Sequence, residues 1–207
     1  MSSVVYKCFM CNCFLLIVLS LFSCNQDNYQ IEGKCLVNKM PKNRKIEMRK
    51  LSIDGDGKFL QSTSVSDNGQ FKLNGYIDKP EIVYFVSGVD DKERIYIHGM
   101  CILEPGKIKV DCTEYQINRT FFDCVGTGTL LNDEIQNSYK LCSGVNTMDF
   151  NSYEQLILFY MKKNSCNCAG TFLACDYLYH GGDFYCLPDS LKNIPLISDY
   201  HSSLMQK

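Results

Sequence analysis

"DNGQFKLNGYIDKPEIVYF", residues Asp67 to Phe85, is the stretch whose reading decides the fold. Asp67-Asn68-Gly69 are residues that tolerate a positive φ at a tight turn. Apolar residues then alternate with polar ones at Phe71 and Leu73, and the run toward Ser87 is more continuously apolar. Successive side chains of a strand point to opposite faces, so this rhythm predicts two strands, at 70–77 and 81–87. Working outward, the same signals predict strands at 29–37, 45–53, 59–65, 94–97, 100–103, 107–112 and 120–125. Asp54-Gly55-Asp56-Gly57 and Glu104-Pro105-Gly106 supply further turns. Short strands punctuated in this way imply an antiparallel sandwich or barrel-like sheet.

After Gly128 the apolar period lengthens to that of a helix. Leu131, Ile135, Tyr139 and Cys142 share one face, and Tyr153, Leu156, Ile157, Tyr160 and Met161 share another. Asn151 and Glu154 are spaced as a capping pair for the second helix. A third helix is predicted from Cys168 to His180, stopped by Gly181-Gly182. Pro188 and Pro195 divide the tail into short helices, the last presenting Leu196, Ile197, Tyr200 and Leu204. The fold class is therefore α+β, with an antiparallel β-sandwich-like domain over 24–127 and a helical segment over 128–207.

Residues 1–23 follow a separate logic. Lys7 is their only charge, and Phe14 to Phe22 form an apolar run. It is shorter than the roughly 20 residues that span a bilayer, which predicts an export signal rather than a permanent anchor. Leu21-Phe22-Ser23-Cys24 resembles a bacterial lipobox, whose cysteine receives a diacylglyceryl group and becomes the first residue of the mature chain. That resemblance implies lipid attachment at Cys24 and a globule tethered to a cell-envelope membrane, facing the periplasm or the exterior. The net charge of −2 arises from 21 basic and 23 acidic residues without long blocks, which leaves no electrostatic footprint for nucleic acid.

Three motifs recur in a telling order. Asp67, Gly69, Phe71 and Gly75 are followed by Leu103-Glu104-Pro105-Gly106, then by Gly128-Thr129-Leu130-Leu131-Asn132-Asp133. Together they resemble the domain of unknown function at the front of many Bacteroidetes lipoproteins of the thioredoxin and peroxiredoxin-like type. The resemblance covers residues 28–142. It implies that redox chemistry belongs to a carboxy-terminal thioredoxin module, and the present sequence stops where such a module would begin. Its one Cys-x-x-Cys, Cys8-Phe9-Met10-Cys11, lies within the export signal, and there is no tryptophan for a Trp-Cys start.

The stretch Asn164 to Cys186 holds four cysteines and His180. A tetrahedral zinc draws its ligands within about 2.0 to 2.3 Å of one point. On a helix Cys168 and Cys175 stand two turns apart, about 10.5 Å along the axis. Only Cys166, Cys168, His180 and Cys186 could converge, through non-helical flanks. The family resemblance implies that Asn164 to Gly170 form a polar turn into a packing helix with no ligand role, and that is the expected reading, with a metal site and a disulfide such as Cys166–Cys168 as the alternatives. Thirteen cysteines less Cys8, Cys11 and Cys13 leave ten, and acylation of Cys24 leaves an odd nine. Cys101, Cys112 and Cys124 sit in strand patterns, where a thiol behaves as a small hydrophobe.

Other candidates are weaker. Asp54-Gly55-Asp56-Gly57 begins like a calcium loop, yet Lys58 stands where an oxygen ligand is needed. Gly126-Thr127-Gly128-Thr129 precedes a helix but lacks a phosphate-loop lysine. His98 and His201 have no nucleophile at a telling spacing. The sequence predicts no catalytic residue, cofactor or metal ligand. It predicts a non-catalytic, lipid-anchored binding or accessory module whose partner is an envelope polypeptide or other envelope component. The alternative is an accessory or truncated member of a thiol-disulfide oxidoreductase system, acting with a separate thioredoxin-like protein.

Overall fold

The computed structural model describes residues 28–36, 45–52, 57–88, 97–114, 125–143 and 150–205. Cys24 and the export segment lie outside the described residues. So do Asp54 to Asp56, Cys124, and all but the last residue of the strands expected at 94–97 and 120–125. The elements run β1 (Asn28–Leu36), β2 (Lys45–Lys50), β3 (Lys58–Ser64), β4 (Gln70–Tyr76), β5 (Glu81–Gly88), β6 (Ile97–His98), β7 (Met100–Leu103) and β8 (Gly106–Glu114). Helices α1 (Leu130–Ser143), α2 (Phe150–Lys163), α3 (Cys168–Tyr179), α4 (Asp189–Lys192) and α5 (Pro195–Leu204) follow.

The strands form two four-stranded sheets, ordered β4-β1-β8-β6 and β3-β2-β5-β7. Their inner faces meet in one core. Tyr29, Ile31, Phe71, Leu73, Ile108 and Val110 come from the first sheet, and Ile46, Met48, Val83 and Phe85 from the second. Fully burying side chains of this size stabilises the fold by about 1.5 to 3 kcal/mol each. The α+β class and the sandwich-like arrangement are as the sequence predicts.

One pairing departs from the expected antiparallel pattern. β1 runs parallel to β8, in register from Tyr29 opposite Gly106 to Leu36 opposite Thr113. The pairs β1–β4, β2–β3, β2–β5, β5–β7 and β6–β8 are antiparallel. Tight turns join antiparallel neighbours, whereas a parallel pair needs a long crossover. Here the whole of the second sheet is laid down between β1 and β8, which supplies that crossover.

The first motif is a packing device. Gly69 adopts φ +82° at the turn, and a Cβ there would stand 2.6 Å from the carbonyl oxygen of Cys35. Phe71 lies opposite Gly33 and Tyr29 opposite Gly75 in the β1–β4 ladder. A Cβ on Gly33 would fall 1.9 Å from the Phe71 ring, and one on Gly75 would fall 2.6 Å from the Tyr29 hydroxyl. Each glycine is thus the floor beneath a cross-strand aromatic ring.

The helices form a third layer. Ile82 of β5 and Ile102 of β7 belong to the helical core, with Ile135, Met161, Phe172 and Leu173, while Val83, Cys101 and Leu103 belong to the sandwich core. β5 and β7 are therefore covered on both faces, which explains the continuously apolar run of β5. Helix α3 sits at the centre of this layer, against the other helices and β5. Helix α2 already includes Asn151, so the expected Asn151–Glu154 cap is corrected. Glu154 instead accepts a hydrogen bond from the Tyr177 hydroxyl across the bundle. Among the described residues no helix is long and apolar enough to cross a membrane.

Candidate functional site

The cysteine-rich stretch is a structural turn. Asn167 caps α3, its side-chain oxygen accepting the amides of Ala169 (2.9 Å) and Gly170 (3.2 Å). Asn164 anchors the turn by accepting from the Asn167 amide group at 3.1 Å and donating to Glu134 at 3.3 Å. Gly170 meets the carbonyl of Asn164, where a Cβ would lie 2.2 Å away. Cys166, Cys168, His180 and Cys186 find separate neighbours. Cys168 donates to the Pro80 carbonyl at 3.1 Å, Cys186 to Asp183 at 3.7 Å, and Cys166 lies beside Ser165. His180 lies 3.6 Å from Asp176, and His201 stacks on Phe184. Among the described residues no three His, Cys, Asp or Glu side chains are grouped to hold a metal, and none of the eight described cysteines is joined in a disulfide.

The second and third motifs meet in a clasp between β7 and α1. Asn132 is fully buried and mimics a neighbouring strand. Its side-chain oxygen accepts the Ile102 amide at 2.9 Å, and its nitrogen donates to the Ile102 carbonyl at 2.8 Å. Glu104 caps the start of α1, one carboxylate oxygen accepting the amides of Leu131 (2.7 Å) and Asn132 (3.1 Å). Asp133 accepts the Gly128 amide at 2.7 Å. The glycine-rich approach to α1 is thus committed to protein partners, as a strand-to-helix turn.

A cleft opens between the helical layer and the second sheet, with about 100 Å³ of free volume. The end of β2 supplies Leu51 and Ser52, and β7 supplies Met100. Phe172, Cys175, Asp176 and Tyr179 line it from α3, and Leu196 and Tyr200 from α5. Its wall is predominantly apolar, and Asp176 is the acid in it.

Asp176 is an unusual wall residue because its side chain is only 8 % exposed. Its Oδ1 is buried and faces Nε2 of His180, four residues on, at 3.6 Å, an ion pair when that imidazole is protonated. Burial pushes the carboxyl up to about 6, against the opposing pull of His180 and of the Tyr139 hydroxyl. The surrounding acids respond in kind. Burial, reinforced by the Asp176 charge, pushes Cys175 and Tyr153 each to about 12. Tyr200 also rises to about 12, through burial first and then Cys175, Tyr179 and Asp176. An apolar cleft with a few convergent polar groups and a displaced carboxyl has the form of a ligand site.

This site escaped sequence reasoning, although a signal existed. Asp176 is the one charged residue of α3, whose sequence CAGTFLACDYLY is otherwise uncharged. A helix apolar on all faces is buried, so its single charge is buried or lines a cavity.

These features define an α+β protein, a two-sheet sandwich capped by a helical layer, with a small cleft between sheet and helices. The chain belongs to the family described as Domain of unknown function (DUF4369), which matches residues 29–135. The match ends within α1, so Leu51 and Met100 lie in the family region and α3 and α5 lie beyond it. No curated protein and no solved structure matches the chain.

Proposed function

We propose that the chain is a non-catalytic binding module of the cell envelope, tethered to its membrane by acylation of Cys24. The observation that carries the binding part is the cleft, whose apolar walls come from β2, β7, α3 and α5. An envelope component that buries an apolar group there would be held between the two layers.

The state of the thiols supports a module without redox chemistry of its own. A reactive cysteine needs a thiolate, favoured by neighbouring cations or a helix start. Here burial pushes Cys142 up to about 11 and Cys175 to about 12, and it raises Cys101 further. Cys168 is raised by burial and then by Glu81 and Glu104. Cys186 is raised by partial desolvation and by Asp183. These groups remain thiols at neutral pH.

Carbon-13 methyl NMR of the full-length chain in lipid nanodiscs tests the binding. n-Butanol should shift the Met100 methyl resonance saturably and leave Met48, in the sandwich core, unmoved. An unresponsive Met100 with every small probe refutes the cleft as a binding site. Mass spectrometry of the amino-terminal peptide should find a diacylglyceryl group on Cys24, and an unmodified cysteine refutes the tether. Insulin reduction should be absent; activity abolished by serine at Cys166 or Cys168 would instead support the thiol-disulfide alternative.

A further inference from the structure

We infer that the outer face of the first sheet is a second binding site and that it takes an acidic glycan. A sugar ring lies on Tyr76, its hydroxyls meet the amides of Asn28, Gln30 and Asn74, and the acid group meets Lys107. This goes beyond the cleft and does not depend on it.

The face follows from strand alternation. Tyr29 and Ile31 of β1, Phe71 and Leu73 of β4, and Ile108 of β8 turn into the sandwich core, so their neighbours along each strand turn outward. The helical layer packs on the second sheet, and Asn28, Asn74, Tyr76 and Lys107 are exposed, with Gln30 half-buried among them. Register sets these side chains out in rows: Asn28 is opposite Tyr76, and Gln30 stands between Asn74 and Lys107. Neighbouring strands lie about 4.8 Å apart, so the second row spans about 10 Å. Together they border an open hollow of about 580 Å³. Small-molecule sites have a comparable volume, roughly 300 to 1,000 Å³, but predominantly apolar walls. Three amides and an amine stand in this one, which suits a ligand whose own surface is polar.

A sugar matches each of these groups. Its hydroxyls both donate and accept, as side-chain amides do. The C–H side of its ring is apolar and fits the ring of Tyr76, which is 70 % exposed at the end of its strand.

The charge of the face selects an acidic sugar. Lys72 and Lys107 flank Glu32 at 3.3 and 3.8 Å, and Lys109 lies opposite it on β8. Lys72 first, and then Lys107, hold the Glu32 carboxyl below its ordinary range, so Glu32 is ionised and offsets one of three cations. In the next row Lys34 lies opposite Asp111. The face is therefore cationic on a chain whose net charge is −2, and it draws anions. Glu32 and Asp111 interrupt the lysines, which disfavours an unbroken run of phosphates and suits acid groups carried at intervals along a sugar chain.

Three probes separate ring from charge. β-1,4-Linked tetraglucuronate and cellotetraose share a backbone and differ in the carboxylates, and tetraglutamate carries the charge without the ring. Each is titrated by calorimetry, at low ionic strength, into the full-length chain in phosphatidylcholine nanodiscs. Tetraglucuronate should bind about fivefold more tightly than cellotetraose, as befits an exposed ion pair, and the preference should shrink as salt is added. Tetraglutamate should bind about fivefold more weakly than tetraglucuronate, for want of the stacking contact. Lys107→Met should remove the preference for the acidic sugar, and Lys107→Arg should keep it. Tyr76→Ala should weaken both sugars by about fivefold. The Met100 methyl resonance should stay still throughout, which separates this test from that of the cleft. The inference is overturned if tetraglucuronate does not bind, if tetraglutamate binds as tightly, or if sugar binding survives both Lys107→Met and Tyr76→Ala unchanged.

Discussion

Two buried polar groups in this protein have opposite fates. At the β7–α1 clasp, Asn132 exchanges two hydrogen bonds with Ile102, and its second amide hydrogen lies within reach of Thr129 at 2.8 Å and Glu104 at 3.3 Å. At the cleft, Asp176 is similarly enclosed, but its Oδ1 has the looser company of the His180 imidazole at 3.6 Å in place of a close hydrogen bond. A satisfied buried network rigidifies and specifies a fold, whereas an unsatisfied group is a liability that stability alone does not explain. The clasp falls inside the region that defines the family, and Asp176 falls outside it. The family region thus supplies the clasp together with Leu51, Ser52 and Met100 of the cleft wall, and the helices beyond it supply Asp176 and the rest of that wall.

The comparison can be broken most decisively at the clasp. Asn132→Ala strips both partners from Ile102 and leaves buried donors and acceptors empty, so unfolding free energy should fall by about 3 to 4 kcal/mol. Urea denaturation followed by circular dichroism measures it; a loss below about 1 kcal/mol would show that the clasp is decorative.

Asp176→Asn should act in the opposite direction. The folded-state carboxyl titrates near 6, above its ordinary 3.8, so its contribution to stability is complete below that lower value and is lost as pH rises through about 6. Wild-type protein should therefore gain up to about 3 kcal/mol from this group between pH 7 and pH 4. Asp176→Asn should be the more stable protein at pH 7.5 and should lack this gain on acidification. Chemical denaturation at pH 7.5, 6 and 5 checks the sign, and a variant less stable than wild type at pH 7.5 contradicts it.

Glu104→Gln is the subtlest change. Glutamine retains an oxygen acceptor for the amides of Leu131 and Asn132 but loses the charge at the start of α1. A loss of about 1 kcal/mol is expected, because charge-assisted hydrogen bonds are roughly twice as strong as neutral ones. Thermal melts resolve a difference of that size, and a loss as large as that of Asn132→Ala would mean that the charge, not the geometry, holds the clasp.

How far the sequence disclosed all this depends on the range of each interaction. Phe71 and Leu73 alternate, and both are buried, because period two is a local property of the strand. The start of α3 at Cys168 was equally legible, since Asn167 caps it from an adjacent position. The β1–β8 pairing was not, because Tyr29 and Gly106 meet only once the second sheet has been placed between them. The clasp was visible as two motifs, yet nothing local announces that Glu104 reaches Leu131 and Asn132. Asp176 was half legible: as the one charge of α3 it stands out, but the neighbours that displace its carboxyl and close the cleft come from other elements, Tyr139 of α1 and Tyr200 of α5 among them.

The position of β1 has a mechanical consequence. It lies between β4 and β8, bonded to both along most of its length. Were a lipid attached at Cys24, its tether would enter the described fold at Asn28, the first residue of that interior strand, and a pull directed along the strand would load both of its ladders. Both ladders run crosswise to such a pull and would carry it in shear, all rungs sharing the load at once instead of peeling apart in turn.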